Sequence, residues 1–170
     1  MTSLDTLNAL PQDEFVTHLA GIFEHSPWVA ERAAAGRPYA SRTRLLEAMR
    51  AVVATASPAE QMALILAHPK LGARGRVRAQ LTPESAGEQK RAGLDACTDE
   101  QFAELLGLNE RYMAKFGFPF ILAVRGHDPQ SILANMRARL DNDPPAEHGA
   151  ALEQIGRIAG FRLHDAVSES

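Results

Sequence analysis

One histidine in this sequence is fixed against a proline, His68 in Ala67-His68-Pro69-Lys70-Leu71-Gly72. Proline disfavours the helical conformation at the residue before it, so a helix arriving from Pro58 should stop at His68. A helix C-terminus favours a protonated imidazole, and the rigid bond to Pro69 orients the ring, which suits proton transfer near neutral pH. The plainer reading of the same spacing is a terminal histidine that stabilises the last helical carbonyls. A second group, Ser85-Ala86-Gly87-Glu88-Gln89, sets a hydroxyl, a carboxylate and an amide at i, i+3 and i+4, on one helix face. Such a face suits a small polar molecule rich in N–H and C=O groups, and it equally suits solvent. Lys90 and Arg91 beside it read as solvated charges.

Two further stretches carry possible chemistry. Phe118-Pro119-Phe120-Ile121-Leu122-Ala123-Val124 is apolar and non-helical in composition, and its buried backbone groups must find partners. A ligand bearing amide or urea groups can supply them, and so can the protein itself. Near the end, Arg162 falls in an apolar helical stripe, Phe161-Arg162-Leu163, where a buried guanidinium demands an anion. The alternative is an arginine whose stem packs while its head reaches water.

Other chemistries lack their residues. The histidines at 18, 25, 68, 127, 148 and 164 form no His-Glu-x-x-His pattern, and the single Cys97 forms no Cys-x-x-Cys, so no metal site is expected. Glycine-rich nucleotide cradles and a Gly-x-Ser-x-Gly elbow are missing as well. A formal net charge of −3 argues against duplex nucleic acid. The basic run from Lys70 through Arg74, Arg76 and Arg78 has no interleaved aromatics, so a solvated loop or a subunit contact is expected there instead of an RNA surface. One cysteine allows no internal disulfide and points to a reducing compartment. No apolar run approaches the roughly 20 residues that span a bilayer. The first residues show no secretion signal, and Val167-Ser168-Glu169-Ser170 is no peroxisomal address. The expected setting is cytoplasmic, with no membrane partner.

The elements that must position these residues are helices. With 170 residues, 45% hydrophobic and 23% charged, the chain suits one globular domain over residues 1–170. Helical spacing runs from Pro11 to Glu24, and a short segment from Pro27 to Ala35 is closed by Gly36 and Pro38. Ser41, Ser57-Pro58-Ala59-Glu60, Thr82-Pro83, Thr98-Asp99-Glu100-Gln101 and Asp128-Pro129 each open a helix with a side-chain cap. Gly117 should end the long one, and a last helix should run from Ala146 to Val167 after Pro144-Pro145. The expectation is an all-α fold of about eight helices, with one buried extended segment near 118–124 and no strand-like alternation elsewhere.

Taken in order, His68-Pro69-Lys70-Leu71-Gly72, Ser85-x-x-Glu88-Gln89 with Ala92-Gly93-Leu94, Asn109-x-x-Tyr112, Phe116-Gly117-Phe118-Pro119-Phe120-Ile121 and Arg125-Gly126 resemble one family. It is the OHCU decarboxylases, which act on 2-oxo-4-hydroxy-4-carboxy-5-ureidoimidazoline (OHCU). The likeness runs from about Asp13 to Val167 in the family's order. It implies a cofactor-free, all-α homodimer that converts OHCU to S-allantoin and CO2, the last step from urate to allantoin. By motif, His68 matches the family's catalytic histidine and Glu88 its catalytic carboxylate. Pro69, Ser85, Gln89 and the backbone of Phe120, Ile121, Leu122, Ala123 and Val124 match substrate-binding positions. Arg162 matches an arginine that holds a substrate oxygen, although Gly160-Phe161 departs from the usual lead-in there. The alternatives are a related lyase or isomerase on another ureido or imidazolone compound, or an all-α regulatory or interaction module. A DNA-binding module of that kind needs a basic recognition helix, and none is found.

Overall fold

The computed structural model describes residues 1–72 and 80–169. Among these the chain is all-α, with α1 (Leu4–Ala9), α2 (Gln12–Leu19), α3 (Trp28–Ala33), α4 (Arg42–Ala54), α5 (Pro58–Ala67), α6 (Pro83–Arg91), α7 (Asp99–Phe116), α8 (Pro129–Arg139) and α9 (Pro144–Ala166). The caps legible in the sequence open their helices. Ser41 Oγ accepts from Arg44 N at 3.2 Å. Ser57 and Glu60 bond reciprocally, Glu60 N to Ser57 Oγ at 3.3 Å and Ser57 N to Glu60 Oε2 at 3.0 Å. Thr98 with Gln101 and Asp128 with Ser131 form capping boxes of the same kind. Gly117, at φ 77°, closes α7 by donating its N–H to Met113 O at 2.8 Å.

Two boundaries differ from the sequence reading, and one helix, α1, is not read from it. The spacing through Ile22 and Phe23 does not continue α2, which ends at Leu19; Gly21 weakens the helix, and both side chains bury from turns instead. Helix α1 is too short for its period to register, yet Ser3 Oγ caps it by accepting from Thr6 N at 3.1 Å. Pro144 and Pro145 begin α9 instead of preceding it, because the first turn needs no intrahelical N–H donors. Asp143 completes that start, accepting from Ala146 N at 2.8 Å. The chain also holds a parallel ladder of two residues on each side, β1 (Thr2–Ser3) with β2 (Val167–Ser168), Thr2 lying opposite Val167.

The chain divides into two units, Met1–Ala67 with the residues from Gly156 onward, and His68–Ile155. In the first, α3 packs on α4 and α2 around fully buried Phe15, Leu19, Leu45 and Met49. Each such side chain contributes about 1.5–3 kcal/mol of burial. Helix α9 comes close to α4 at two of its three glycines. A Cβ at Gly156 would lie 2.8 Å from Arg50 Nε, and one at Gly160 3.2 Å from Leu46 Cδ2. In the second unit α7 packs on α8 around Leu105, Tyr112, Ile132 and Met136. The segment from Phe118 to Val124 runs through this core without regular structure and is buried throughout, as its composition predicts.

Candidate active site

Helix α5 stops at Ala67, so His68 is the first residue beyond it, and it is buried. The loop that follows is held by two amide side chains from other helices. Gln89 of α6 accepts from Gly72 N through Oε1 at 3.0 Å and donates through Nε2 to Lys70 O at 3.2 Å. Asn109 of α7 donates through Nδ2 to Leu71 O at 3.0 Å. Three consecutive residues after Pro69 are therefore fixed by buried amides, which is how a short loop acquires the rigidity of a helix. Gly72 is obligatory there. It sits at φ 79°, and an added Cβ would lie 2.2 Å from Leu105 Cδ2.

The i, i+3, i+4 face of α6 is present as predicted. Ser85 and Gln89 are buried and Glu88 is half-buried. The face is thus no solvated surface. For Gln89 the structure adds a role that spacing did not show, because its amide is engaged by the His68 loop at both ends.

Among the described residues the apolar segment receives protein partners at three points, one of them the Val124 carbonyl, which accepts from His127 N at 3.0 Å. Arg139 donates through Nη1 to Ile121 O at 2.5 Å, and Gln154 Oε1 accepts from Ala123 N at 3.0 Å. Arg139 itself lies over the Phe120 ring at 4.4 Å, with Nε 2.6 Å from Glu147 Oε1. Glu147 is fully buried and also accepts from Tyr112 Oη at 2.5 Å and Asn142 Nδ2 at 2.9 Å. Burial, and then the Glu147 carboxylate it donates to, push the Tyr112 hydroxyl well above the ordinary tyrosine range, so it remains a donor. Phe116, Phe118 and Phe120 surround the Tyr112 ring at centroid distances of 4.5, 5.8 and 5.4 Å.

Sequence reasoning missed Arg139, Glu147 and Gln154. Arg139 reads as an ordinary last-turn cation, and Glu147 stands in a polar run, Ala146-Glu147-His148, with no apolar stripe to mark it as buried. It also missed Glu24, whose position directly after Ile22-Phe23 was the available signal. Arg162, in the first unit, donates through Nη1 to Glu24 Oε2 at 2.8 Å and to Gly21 O at 3.0 Å. Both side chains are almost wholly removed from solvent, at 6% and 1% exposure, so the demand for an anion is met within the chain.

Among the described residues no group of His, Cys, Asp or Glu is arranged to hold a metal ion, and no helix is long and apolar enough to cross a membrane. Lys70 is exposed, while Arg74, Arg76 and Arg78 lie outside the described residues.

Comparison with known proteins bears on all of this. A family model described as OHCU decarboxylase matches residues 8–164. The 2-oxo-4-hydroxy-4-carboxy-5-ureidoimidazoline decarboxylase of Haloferax volcanii is 40% identical, over 98% of this chain and 96% of its own. A uric acid degradation bifunctional protein of Bacillus sp. (strain TB-90) is 44% identical over 99% of this chain; the chain spans 33% of that relative's length. A crystal structure of (S)-allantoin synthase superposes with a TM-score of 0.79 at 30% identity, covering 99% of this chain and 54% of that one. A match that spans nearly the whole sequence, and includes every motif that positions the His68 loop, shows that the chain belongs to the OHCU decarboxylase family.

Proposed function

We propose that this protein decarboxylates OHCU to (S)-allantoin and CO2, as a cofactor-independent carboxy-lyase. The observation that carries the reading is the fixed position of buried His68, whose loop is tied by Gln89 to the same face of α6 that presents Ser85 and Glu88. In OHCU the carboxylate sits on a carbon that also bears a hydroxyl, next to a C=N bond. When the C–CO2 bond breaks, its electron pair forms a C=C bond and the C=N pair moves to nitrogen, which takes a proton. The substrate is its own electron sink, so the protein need supply only binding, orientation and proton transfer. The enol then loses its hydroxyl proton while the former imine carbon gains one, and the net change is CO2 for a proton.

His68, oriented by Glu88, takes or shares the hydroxyl proton in this proposal. Pro69, Ser85, Gln89 and the backbone from Phe120 to Val124 form the binding surface, and Arg162 holds a substrate oxygen. Gln89 then acts chiefly by fixing the loop, since its amide oxygen and nitrogen already bond Gly72 and Lys70. The chain acts as a single domain over 1–170, in a cytoplasmic homodimer.

The test is freshly generated OHCU, with the appearance of optically active allantoin followed by circular dichroism. Acceleration above the spontaneous rate, unchanged by EDTA, is the expected result. A rate equal to the spontaneous one refutes the proposal. Activity lost to EDTA and restored by one metal refutes its cofactor-free form. Glu88→Gln keeps size and hydrogen bonding but removes charge. Its kcat should fall while KM changes less. Weaker apparent affinity with kcat intact makes Glu88 a binding residue instead.

A further inference from the structure

Each peptide of the Ile121–Ala123 stretch is trans, since the described cis bond is Arg37–Pro38. In a planar trans peptide the C=O and the N–H point in opposite directions. Arg139 holds the Ile121 carbonyl, so the N–H of Leu122 in that same peptide is turned away from Arg139. Gln154 holds the Ala123 N–H, so the carbonyl of Leu122 in the next peptide is turned away from Gln154. Leu122 is a buried residue, at 6% exposure, and among the described residues neither its N–H nor its C=O has a protein hydrogen bond. An unmet buried donor and acceptor on one residue is costly, typically ~1–3 kcal/mol for each group left unpaired.

We infer that Arg139 and Gln154 are positioning residues that aim the N–H and C=O of Leu122 at the substrate, where they read an amide or ureide edge carrying a donor beside an acceptor. This rests on the decarboxylase reading above and extends it to residues outside the motifs of the family resemblance. The anchor is built to be stiff. Glu147 neutralises Arg139 and is itself held by Tyr112 and Asn142, so the guanidinium is fixed from behind while one arm reaches Ile121. Gln154 stands on α9, a separate helix, so the segment is pinned from two directions.

Both anchors can be broken without introducing a new buried charge. Gln154→Met keeps length and removes the acceptor for Ala123 N, and Gln154→Glu keeps an acceptor in place. Arg139→Lys retains the charge beside Glu147 but loses the fork that reaches Ile121. Steady-state kinetics with OHCU and thermal unfolding are measured on all three and on the wild type. Expected is a KM raised about five- to tenfold in Gln154→Met and at least as much in Arg139→Lys, with kcat within about threefold, the size of a lost hydrogen bond. Gln154→Glu should restore KM to within about twofold, because the acceptor is back. A purely structural role lowers the unfolding temperature and leaves KM alone; that pattern overturns the inference. So does a KM in Gln154→Glu as high as in Gln154→Met. Wild-type protein without OHCU turnover overturns the decarboxylase reading and this inference with it, whereas turnover with unmoved KM overturns this inference alone.

Discussion

Replacing His68 with asparagine should lower turnover by roughly 10²–10⁴-fold, the usual contribution of a general acid–base group, and leave the fold intact. The fold should survive because the loop is not held by the imidazole alone. Lys70, Leu71 and Gly72 are bonded through their backbones to Gln89 and Asn109, and those bonds remain in His68→Asn. Asparagine is also smaller and polar, so the buried site is neither overpacked nor made apolar. Single-turnover rates at saturating OHCU, corrected for the spontaneous reaction, isolate the proton-transfer step from binding. A rate within threefold of wild type, with an unchanged unfolding temperature, removes His68 from the chemistry. The Gly72→Ala variant offers a contrast, since it disturbs the loop through Leu105 with His68 still present.

The second large effect is expected at Arg162, and it is first an effect on stability. Glu24 is 1% exposed, and Arg162→Ala takes away the guanidinium from which its carboxylate accepts in the core of the first unit. Breaking a buried pair from one side costs about 3–5 kcal/mol, far more than the pair contributes when intact. Denaturant unfolding of Arg162→Ala should show a loss of that order. Arg162→Lys separates this from binding. It keeps a cation for Glu24, so most of the stability should return, but it loses the planar fork that grips a carboxylate or carbonyl oxygen. A raised KM in Arg162→Lys supports the substrate role, by ~1.5–3 kcal/mol for a hydrogen bond to a charged group. Wild-type kinetics in the lysine variant would assign Arg162 to the Glu24 pair alone.

What was legible in the sequence was legible because it is local. Ser57 with Glu60 and Thr98 with Gln101 are caps written within four residues, and each opens a helix where expected. The stop at His68 follows from the proline next to it. The extended run from Phe118 to Val124 announced itself by being apolar and bounded by Gly117 and Gly126. Boundaries failed where the local rule was overridden, as at Ile22 and Phe23, whose helical spacing is realised in turns. The site was half visible for the same reason. Ser85, Glu88 and Gln89 lie on one face by periodicity, but the job of Gln89 depends on Gly72, seventeen residues away. The pairs Arg139–Ile121 and Arg162–Glu24 are farther apart still, at separations of 18 and 138 residues. No window of sequence spans them, and a charged residue shows its burial only through the partner that makes burial tolerable.

The first unit is assembled from two stretches, Met1–Ala67 and the residues from Gly156 onward, with the whole of the second unit between them in sequence. This has a consequence during translation. Helices α1 to α5 leave the ribosome early, but the α9 residues that lie against Arg50 and Leu46 of α4, and the β2 strand that pairs with β1, come last. At about 5–20 residues per second the intervening stretch takes on the order of ten seconds to synthesise. The nascent first unit must wait that long with one side of α4 uncovered, while the stretch bearing His68 is being made. The period of greatest exposure to aggregation and to proteases therefore belongs to the early helices, and it ends only when the second half of α9 docks.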